Sequence, residues 1–129
     1  MPSLFSRIIA GEIPCYKIYE DEWTFAFLDI RPHTLWHTLV IPKIEIDYFV
    51  DLPEPYYSAV FQTAKKISPA LKEATWCIRI GALIAWFDIP HFHYHLIPMN
   101  TYHDLNSGKA HDETPEAMEK IHKKILAHL

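Results

Sequence analysis

The sequence predicts a protein that combines a β-sheet with helices, and three observations lead to this fold class. Five short segments are rich in β-branched, aromatic and other apolar residues, as strands are. Segment 53–74 repeats apolar residues every three or four positions, the spacing of one helix face, so a long helix covers one face of the sheet. With 129 residues, the chain is most naturally a single domain, 1–129, with room for an ordinary core.

The first part of the chain predicts a short helix followed by a β-hairpin. Segment 3–11 begins with Ser and ends with Gly, which are typical caps, and its predicted buried side consists of Leu4, Phe5, Ile8 and Ile9. Segments 16–20 and 23–28 flank a polar turn and predict two paired strands. Because the second of them is almost wholly apolar, we expect it to lie in the interior.

Three more strands and two more helices follow. The strands are predicted at 37–42, 77–85 and 91–98. Pro69 lies near the end of the long helix, where a missing N–H should kink or stop it. Thr114 and Pro115 begin a last, modestly amphipathic helix over 115–129.

The segment around which the chain is organised is a row of alternating histidines between Pro90 and Pro98. Successive side chains of a strand point to opposite faces. One face therefore carries the three imidazoles of His91, His93 and His95. The other face carries the core residues Phe92, Tyr94 and Leu96. A helix would scatter the three imidazoles, which favours the strand.

This row has three interpretations: a catalytic row, a metal site or a structural feature. His91 and His95 lie about 13 Å apart along a strand, at ~3.3 Å per residue, too far for all three rings to share one ion. Two adjacent rings suffice for a metal site if a neighbouring strand adds a third ligand. A row of imidazoles suits an extended polar substrate, because one ring attacks while the next handles a proton. We favour the catalytic row.

The composition limits the kinds of partner and the cellular compartment that we expect for this protein. The formal net charge of −4 gives no electrostatic reason to expect nucleic acid or an acidic membrane as a partner. Two distant cysteines, Cys15 and Cys77, fit a reducing compartment and not a disulfide scaffold. No apolar run approaches the ~20 residues of a membrane span. These features predict a cytoplasmic protein.

The chain resembles the histidine triad superfamily of nucleotide-binding proteins over residues 3–100; the loop and helix of 101–129 lie outside the likeness. Four blocks in the same order carry the resemblance: FSRIIAGEIP (5–14), FAFLDI (25–30), HTLVIPK (37–43) and the triad (91–98). The resemblance implies an α+β fold, with a five-stranded, mainly antiparallel sheet and one long packing helix. It also implies a homodimer in which the sheet continues from one copy to the next.

The resemblance further implies hydrolysis or transfer of a nucleotidyl group, with phosphoramidates or nucleoside polyphosphates as substrates. His93 would attack the α-phosphate and form a nucleotidyl-histidine intermediate. His95 would contact the phosphate and help the leaving group, while His91 and His37 orient the other two rings. A neutral imidazole is a competent nucleophile near pH 7, and its phosphorylated form is labile to water.

The remaining binding residues also follow from the resemblance. Asp29 would hold the ribose hydroxyls. The base would lie among Phe5, Ile8, Phe25 or Phe27, and Ile30, and Asp88 stands where relatives bind phosphate. No cofactor is implied. Some relatives hold structural zinc through paired cysteines near the start of the chain, but Ser3 and Ser6 occupy those positions here, so we predict no such metal site.

Several residues depart from the family pattern. Trp36 and Trp86 stand where relatives have Gly, which accepts positive φ and close backbone approach. Phe87 and Asp88 replace phosphate-binding Gln and Ser, and a carboxylate beside a phosphate is unfavourable. We expect both tryptophans to border the cleft. This leaves two alternatives: a diverged or engineered binding protein with an aromatic wall, or a metal site that joins two of the triad to His33 or His37.

Overall fold

The computed structural model describes residues 2–30, 32, 34, 36–106 and 111–129. Its strands are β1 (Lys17–Glu20), β2 (Thr24–Leu28), β3 (Thr38–Pro42), β4 (Arg79–Leu83) and β5 (Tyr94–Met99). Its α-helices are α1 (Leu4–Ile9), α2 (Tyr56–Thr75) and α3 (Pro115–Ala127). The strands form one sheet in the order β1-β2-β3-β5-β4, and every neighbouring pair is antiparallel. The predicted α+β fold is therefore confirmed.

The predicted hairpin is the β1–β2 pair, and an aspartate closes its turn. Asp21 Oδ1 accepts hydrogen bonds from the backbone N–H groups of Trp23 and Thr24, both at 2.8 Å. All five residues of β2 are buried, as expected of an interior strand. Because β2 alternates between two packed faces, both of its sides are apolar.

The sheet packs apolar residues on both faces. On one face lies the main core, to which α2 and α3 contribute; it includes Val40, Val60, Ile67, Leu71, Phe92, Leu96, Ile121 and Ile125. The smaller core on the opposite face, under α1, consists of Phe5, Ile8, Phe25, Phe27, Leu39 and Ile41. The long helix therefore covers one face, as predicted, and leaves the other face to the short helix.

The first helix is shorter and less buried than predicted. Ser3 caps it, since the Ser3 hydroxyl accepts a hydrogen bond from the Ser6 N–H at 3.1 Å. Of the four residues predicted to be buried, Phe5 and Ile8 are buried, Ile9 is half-buried and Leu4 is 45% exposed. A helix of six residues has too narrow a buried stripe to hide all four side chains.

Helix α2 continues past Pro69 to Thr75, close to the predicted end at residue 74; of the two effects expected of Pro69, a kink or a stop, the stop does not occur. Pro69 cannot donate a hydrogen bond to the carbonyl of Lys65. Both residues are exposed, so water reaches this side of the helix. The lost bond is therefore tolerated.

In the described part of the chain, no helix has both the length and the apolar character needed to cross a membrane.

The histidine segment is only partly a strand, because β5 begins at Tyr94 and not at His91. The reason lies in β3, which ends at Pro42. The β3–β5 register pairs Val40 with Tyr94, so Pro42 would face the residue two positions earlier, and proline has no N–H for the ladder. The alternation nevertheless holds. Phe92 packs into the main core, while His93 contacts Phe5 on the other face.

Strand β4 is shorter than the predicted 77–85 and forms one edge of the described sheet. Its residues are exposed or half-buried, although most residues of the predicted segment are apolar. Helix α3 begins where predicted, since Thr114 Oγ1 accepts a hydrogen bond from the Ala117 N–H at 3.1 Å.

Candidate active site

His91 is fully buried and joins the triad to α1 and β3. Its Nε2–H donates to the carbonyl of Pro42 at 2.9 Å, since a carbonyl only accepts. In the neutral ring Nδ1 then accepts from the Ser3 hydroxyl, also at 2.9 Å. Burial lowers the pKa of His91, and the carbonyl of Pro42 and the charge of Glu45 oppose this only in part. His91 is thus a neutral, fixed side chain behind the site.

His93 has a defined tautomer. Its Nδ1–H donates to the carbonyl of His91 at 2.7 Å, which leaves the lone pair on Nε2. Burial lowers the pKa of His93, while the His91 carbonyl and the charge of Asp88 act in the opposite direction. Its ring meets Phe5 edge-on, with centroids 5.0 Å apart. The ring is therefore neutral near pH 7 and presents one free nitrogen.

His95 is the next histidine of the row, and it forms a hydrogen bond with His37, the residue directly before β3. The His93 and His95 ring centroids are 4.9 Å apart, and His95 Nδ1 lies 2.9 Å from His37 Nε2. Asp29 Oδ2 is 3.9 Å from His37 Nε2, and the Asp29 N–H donates to the His37 carbonyl at 2.8 Å. The end of β2 and the start of β3 thus bring Asp29, His37 and His95 together, although the first and the last are 66 positions apart along the chain.

These three side chains also form a group with metal-ligand chemistry, because their ligand atoms lie within 4.8 Å of one another. The geometry is nevertheless that of a hydrogen bond. The His37 and His95 ring centroids are 5.1 Å apart, whereas their bonded nitrogens are 2.9 Å apart. The difference between the two distances is close to two ring radii, as it is when each nitrogen lies on the line that joins the ring centres. The nitrogens therefore point at each other, whereas a shared zinc ion needs both to point at a third position. His33, the other residue considered for such a site, lies outside the described residues.

A cleft of about 710 Å³ opens beside the row on the face that carries α1. This is within the ~300–1,000 Å³ of small-molecule sites. Its walls come from α1, the end of β2, the segment before the triad and the row itself; they include Phe5, Ile8, Phe27, Asp29, Ile30, Trp86, Phe87, Asp88, His93 and His95. The walls are mostly apolar, with polar groups gathered at the row and at Asp29.

Three predicted site residues do not line this cleft. Phe25 is buried behind Phe27, with ring centroids 5.9 Å apart, so Phe27 is the residue of that pair at the cleft. His91 and His37 are buried behind the lining as well. Their positions suit residues that hold other rings in place.

Trp86 borders the cleft as predicted, and it lies directly on the triad. Its ring stacks on His93 with centroids 4.0 Å apart and planes inclined by 29°. The indole N–H donates to Asp47 Oδ1 at 2.7 Å, which fixes the plane of the ring. Phe92 meets the indole edge-on from the main core, at 5.5 Å.

Trp36 does not line the cleft, contrary to the prediction. Its ring packs against the main core, and the ammonium of Lys124 in α3 lies 5.3 Å from the ring centroid. Its φ is 78°, so the tryptophan adopts the left-handed conformation that we expected to require glycine. Such a conformation costs about 1–2 kcal/mol, which the packing of the large ring offsets.

Asp88 and Phe87 lie at the exposed rim of the cleft. The Asp88 charge raises the pKa of His93, so the carboxylate acts on that ring, although burial has the larger effect. Because Asp88 is exposed, water screens its repulsion of a phosphate.

Sequence reasoning missed the polar network that supports His91. Ser6 Oγ donates to Glu45 Oε1 at 2.8 Å and the Ser3 N–H donates to the same oxygen, while the Ser3 hydroxyl bonds to His91. These bonds lower the pKa of Glu45. Hydroxyls around His91 do not fit a structural zinc ion, which takes thiolates and imidazoles. The signal was present in the spacing of Ser3 and Ser6, which by itself predicted only the absence of a zinc site.

The fold and the site together define a small α+β protein whose central sheet presents a row of imidazoles to an apolar cleft. The family model of the HIT domain matches residues 10–102. The chain therefore belongs to the HIT domain family.

Among its relatives is adenosine 5'-monophosphoramidase HNT1 of Saccharomyces cerevisiae, 33% identical over 98% of this chain and 82% of the yeast protein. Among solved structures, a Hit-like protein from Bartonella henselae is 30% identical, with a TM-score of 0.86 over 98% of this chain and 96% of the other. A hypothetical histidine triad nucleotide-binding protein from Sulfolobus tokodaii is 28% identical, with a TM-score of 0.85 over 96% and 89% of the two chains.

Proposed function

We propose that this protein is a nucleotide-binding hydrolase or nucleotidyl transferase that acts on a phosphoramidate or nucleoside polyphosphate. The reaction passes through a nucleotidyl-histidine intermediate on His93. The name of the yeast relative, adenosine 5'-monophosphoramidase, supports the substrate class. The mostly apolar cleft, with polar groups at the row and at Asp29, supports a ligand with a flat base and a phosphate.

The observation that carries the proposal is the tautomer of His93. Because Nδ1–H donates to the His91 carbonyl, the lone pair lies on Nε2, the nitrogen available for attack on the α-phosphorus. Burial keeps the ring neutral, so no proton has to leave before the attack. A neutral, oriented imidazole meets both requirements of a nucleophile.

The neighbouring side chains have supporting roles in this mechanism. His95 is next to His93, contacts the phosphate and assists the leaving group. His37 holds His95 through the 2.9 Å bond between their nitrogens, and His91 holds His93 through its backbone carbonyl. No metal is needed for these steps.

The rest of the nucleotide fits the remaining walls. Asp29 accepts hydrogen bonds from the ribose hydroxyls, because it lines the cleft and its carboxylate lies close to the row, 3.9 Å from His37 Nε2. The base lies among Phe5, Ile8, Phe27 and Ile30. Asp88, at the rim, contacts the part of the substrate that points to solvent.

Turnover of adenosine 5'-phosphoramidate tests the proposal. The wild-type protein should release AMP, and His93→Ala should reduce the rate by at least 10³-fold, since no other group supplies the nucleophile. His128→Ala is the matched control, because this exposed histidine lies beside Glu73 and away from the cleft. Equal rates in wild type and His93→Ala would contradict the proposal.

A second function, nucleotide binding without turnover, is favoured by one observation. Trp86 covers a face of His93, which restricts movement of the proposed nucleophile. The same preparation separates the two functions, because Trp86 lines the cleft and AMP binding there should change the tryptophan fluorescence of the protein. A fluorescence change without release of AMP from the phosphoramidate supports the binding protein.

We also propose that the protein is a homodimer with a continuous sheet. Strand β4 is at the edge of the described sheet, and exposed strand edges favour pairing with another strand. Exposed Trp76 and Ile78 precede this strand and add apolar surface beside it. The free thiols of Cys15 and Cys77 support a cytoplasmic location, which stays a prediction.

A further inference from the structure

One contact at the site has no counterpart in the proposed roles of the triad: the stack of Trp86 on His93. The ring centroids are 4.0 Å apart, well within the ~6 Å over which the face of a tryptophan attracts a cation. The segment that carries Trp86 has no regular secondary structure. Its position is fixed by side chains, namely by Asp47 at the indole N–H and by Phe92 against the ring.

The proposed reaction places a positive charge on the ring beneath this indole. The Nε2 lone pair of His93 forms a bond to the α-phosphorus, and the bond from phosphorus to the leaving group breaks. The leaving group departs with that electron pair and takes up a proton from water. Nδ1 keeps its proton, which is bonded to the His91 carbonyl, so the imidazole of the intermediate carries one positive charge. Attack by water then breaks the N–P bond, releases a proton and restores the neutral ring.

We propose that Trp86 is a positioning residue that stabilises the nucleotidyl-imidazolium form of His93 through a cation–π contact. This inference rests on the proposed function, since it requires His93 to become charged during the reaction. The neutral ring gains little from the indole quadrupole, whereas the charged ring gains more. The contact therefore favours the transition state and intermediate over the resting enzyme.

The stack leaves the nucleophile accessible. The Nε2 lone pair lies in the plane of the imidazole, while the indole lies over its face at 29°. The direction of attack is thus clear of the indole, and His93 and Trp86 both line a cleft that retains about 710 Å³. A tryptophan that merely filled the site would occupy the direction of the lone pair.

Asp47 strengthens the proposed effect in two ways. By accepting the indole N–H at 2.7 Å, the carboxylate holds the ring plane over His93. A negative charge on that hydrogen bond also increases the electron density of the indole face. The Asp47 charge itself raises the pKa of His93, so it favours the same positive form.

Site-specific incorporation of mono-, di- and tetrafluorinated tryptophan at position 86 tests this inference. Fluorine weakens the ring quadrupole with little change of shape, so folding and stacking are preserved. Single-turnover reactions with adenosine 5'-phosphoramidate are quenched at successive times, and intact-protein mass spectrometry measures the nucleotidyl-enzyme. The rate of its formation should fall with each increase in the number of fluorines. The total decrease should be about 2- to 30-fold. Fluorination also strengthens the hydrogen bond from the indole N–H to Asp47. A lower rate therefore results from the weaker quadrupole of the ring face and not from loss of this hydrogen bond.

The same series at Trp23, which packs edge-on against Tyr56 and does not line the cleft, is the matched control and should leave the rate unchanged. A rate that is independent of fluorination at position 86 overturns the role of Trp86 while the proposed function stands. If the unmodified protein forms no adduct, the proposed function fails as well. Trp86→Leu, with folding checked by thermal unfolding, should lose at least as much rate as the tetrafluorinated protein; an unchanged rate contradicts the inference.

Discussion

At the scale of single residues, the site depends on which nitrogen of each histidine carries the proton. Backbone carbonyls decide this for His91 and His93, because Pro42 and His91 each offer an acceptor to one ring nitrogen. Burial disfavours the second proton on both rings. His91 and His93 are therefore held neutral by their surroundings, and the same surroundings make the stability of the fold depend on pH.

We predict that the free energy of unfolding decreases as the pH falls below about 6.5, the ordinary histidine value. The folded-state pKa values of His91 and His93 lie below that value, so between the two the unfolded chain binds more protons. The contribution of these two histidines to the free energy of unfolding is fully present above pH 6.5 and is lost as the pH falls below that value. Each histidine contributes a slope of at most about 1.4 kcal/mol per pH unit.

Urea unfolding between pH 7.5 and 5.5 checks this prediction. His93→Asn keeps a donor for the His91 carbonyl but cannot titrate, so its slope should be smaller than that of the wild type. His128→Asn, in an exposed position, should keep the wild-type slope. If His93→Asn and the wild type have the same slope, burial of His93 does not control the pH dependence.

Some residues of the site were predictable and others were not. The alternation of histidine with apolar residues sufficed to place the triad on one face, because side-chain direction is local. It could not distinguish Phe25 from Phe27, since residues two apart share a face and only the position of the cleft separates them. The stack of Trp86 on His93 and its bond to Asp47 join segments far apart in the sequence, so no local pattern contains them.

At the scale of elements, the boundaries were set by tertiary contacts. Within the described residues, the three α-helices and five strands were predicted in order, because each has its own apolar pattern. Strand β5 begins three residues later than predicted, since Pro42 on the neighbouring strand offers no N–H. Helix α2 continues past Pro69 because its packed face stabilises it more than one missing hydrogen bond destabilises it.

We predict that Pro69→Ala stabilises the protein by about 2 kcal/mol. Alanine restores the hydrogen bond to the Lys65 carbonyl and removes the ring clash, at a small entropic cost from the freer unfolded chain. Equilibrium urea unfolding at pH 7.5 measures the change. Lys65→Ala, on the same exposed side, should alter stability by less than about 0.5 kcal/mol. A destabilised Pro69→Ala would mean that the proline ring makes a packing contact that the helix needs.

At the scale of the whole molecule, the open side of the sheet decides whether the protein pairs with a second copy. Bonded and non-bonded residue pairs alternate along an antiparallel ladder. Pro98 has no N–H, and its carbonyl accepts from Thr34 Oγ1, which places its polar groups away from β4. Its partner in the register, Ile80, therefore makes no ladder bond to β5, and neither does Ala82 two residues on. The N–H groups of Ile80 and Ala82 face the open edge.

This geometry gives a specific prediction for the proposed homodimer. Ala82→Pro removes an N–H that faces outward, so the bonds between β4 and β5 remain while continuation of the sheet into a second copy is blocked. The substitution should convert a dimer into a folded monomer in light scattering, with circular dichroism close to that of the wild type. Ala82→Val keeps the N–H and should remain dimeric. A dimeric Ala82→Pro would show that the copies associate elsewhere, and a monomeric wild-type protein would contradict the homodimer itself, because the outward N–H groups would then be satisfied by water.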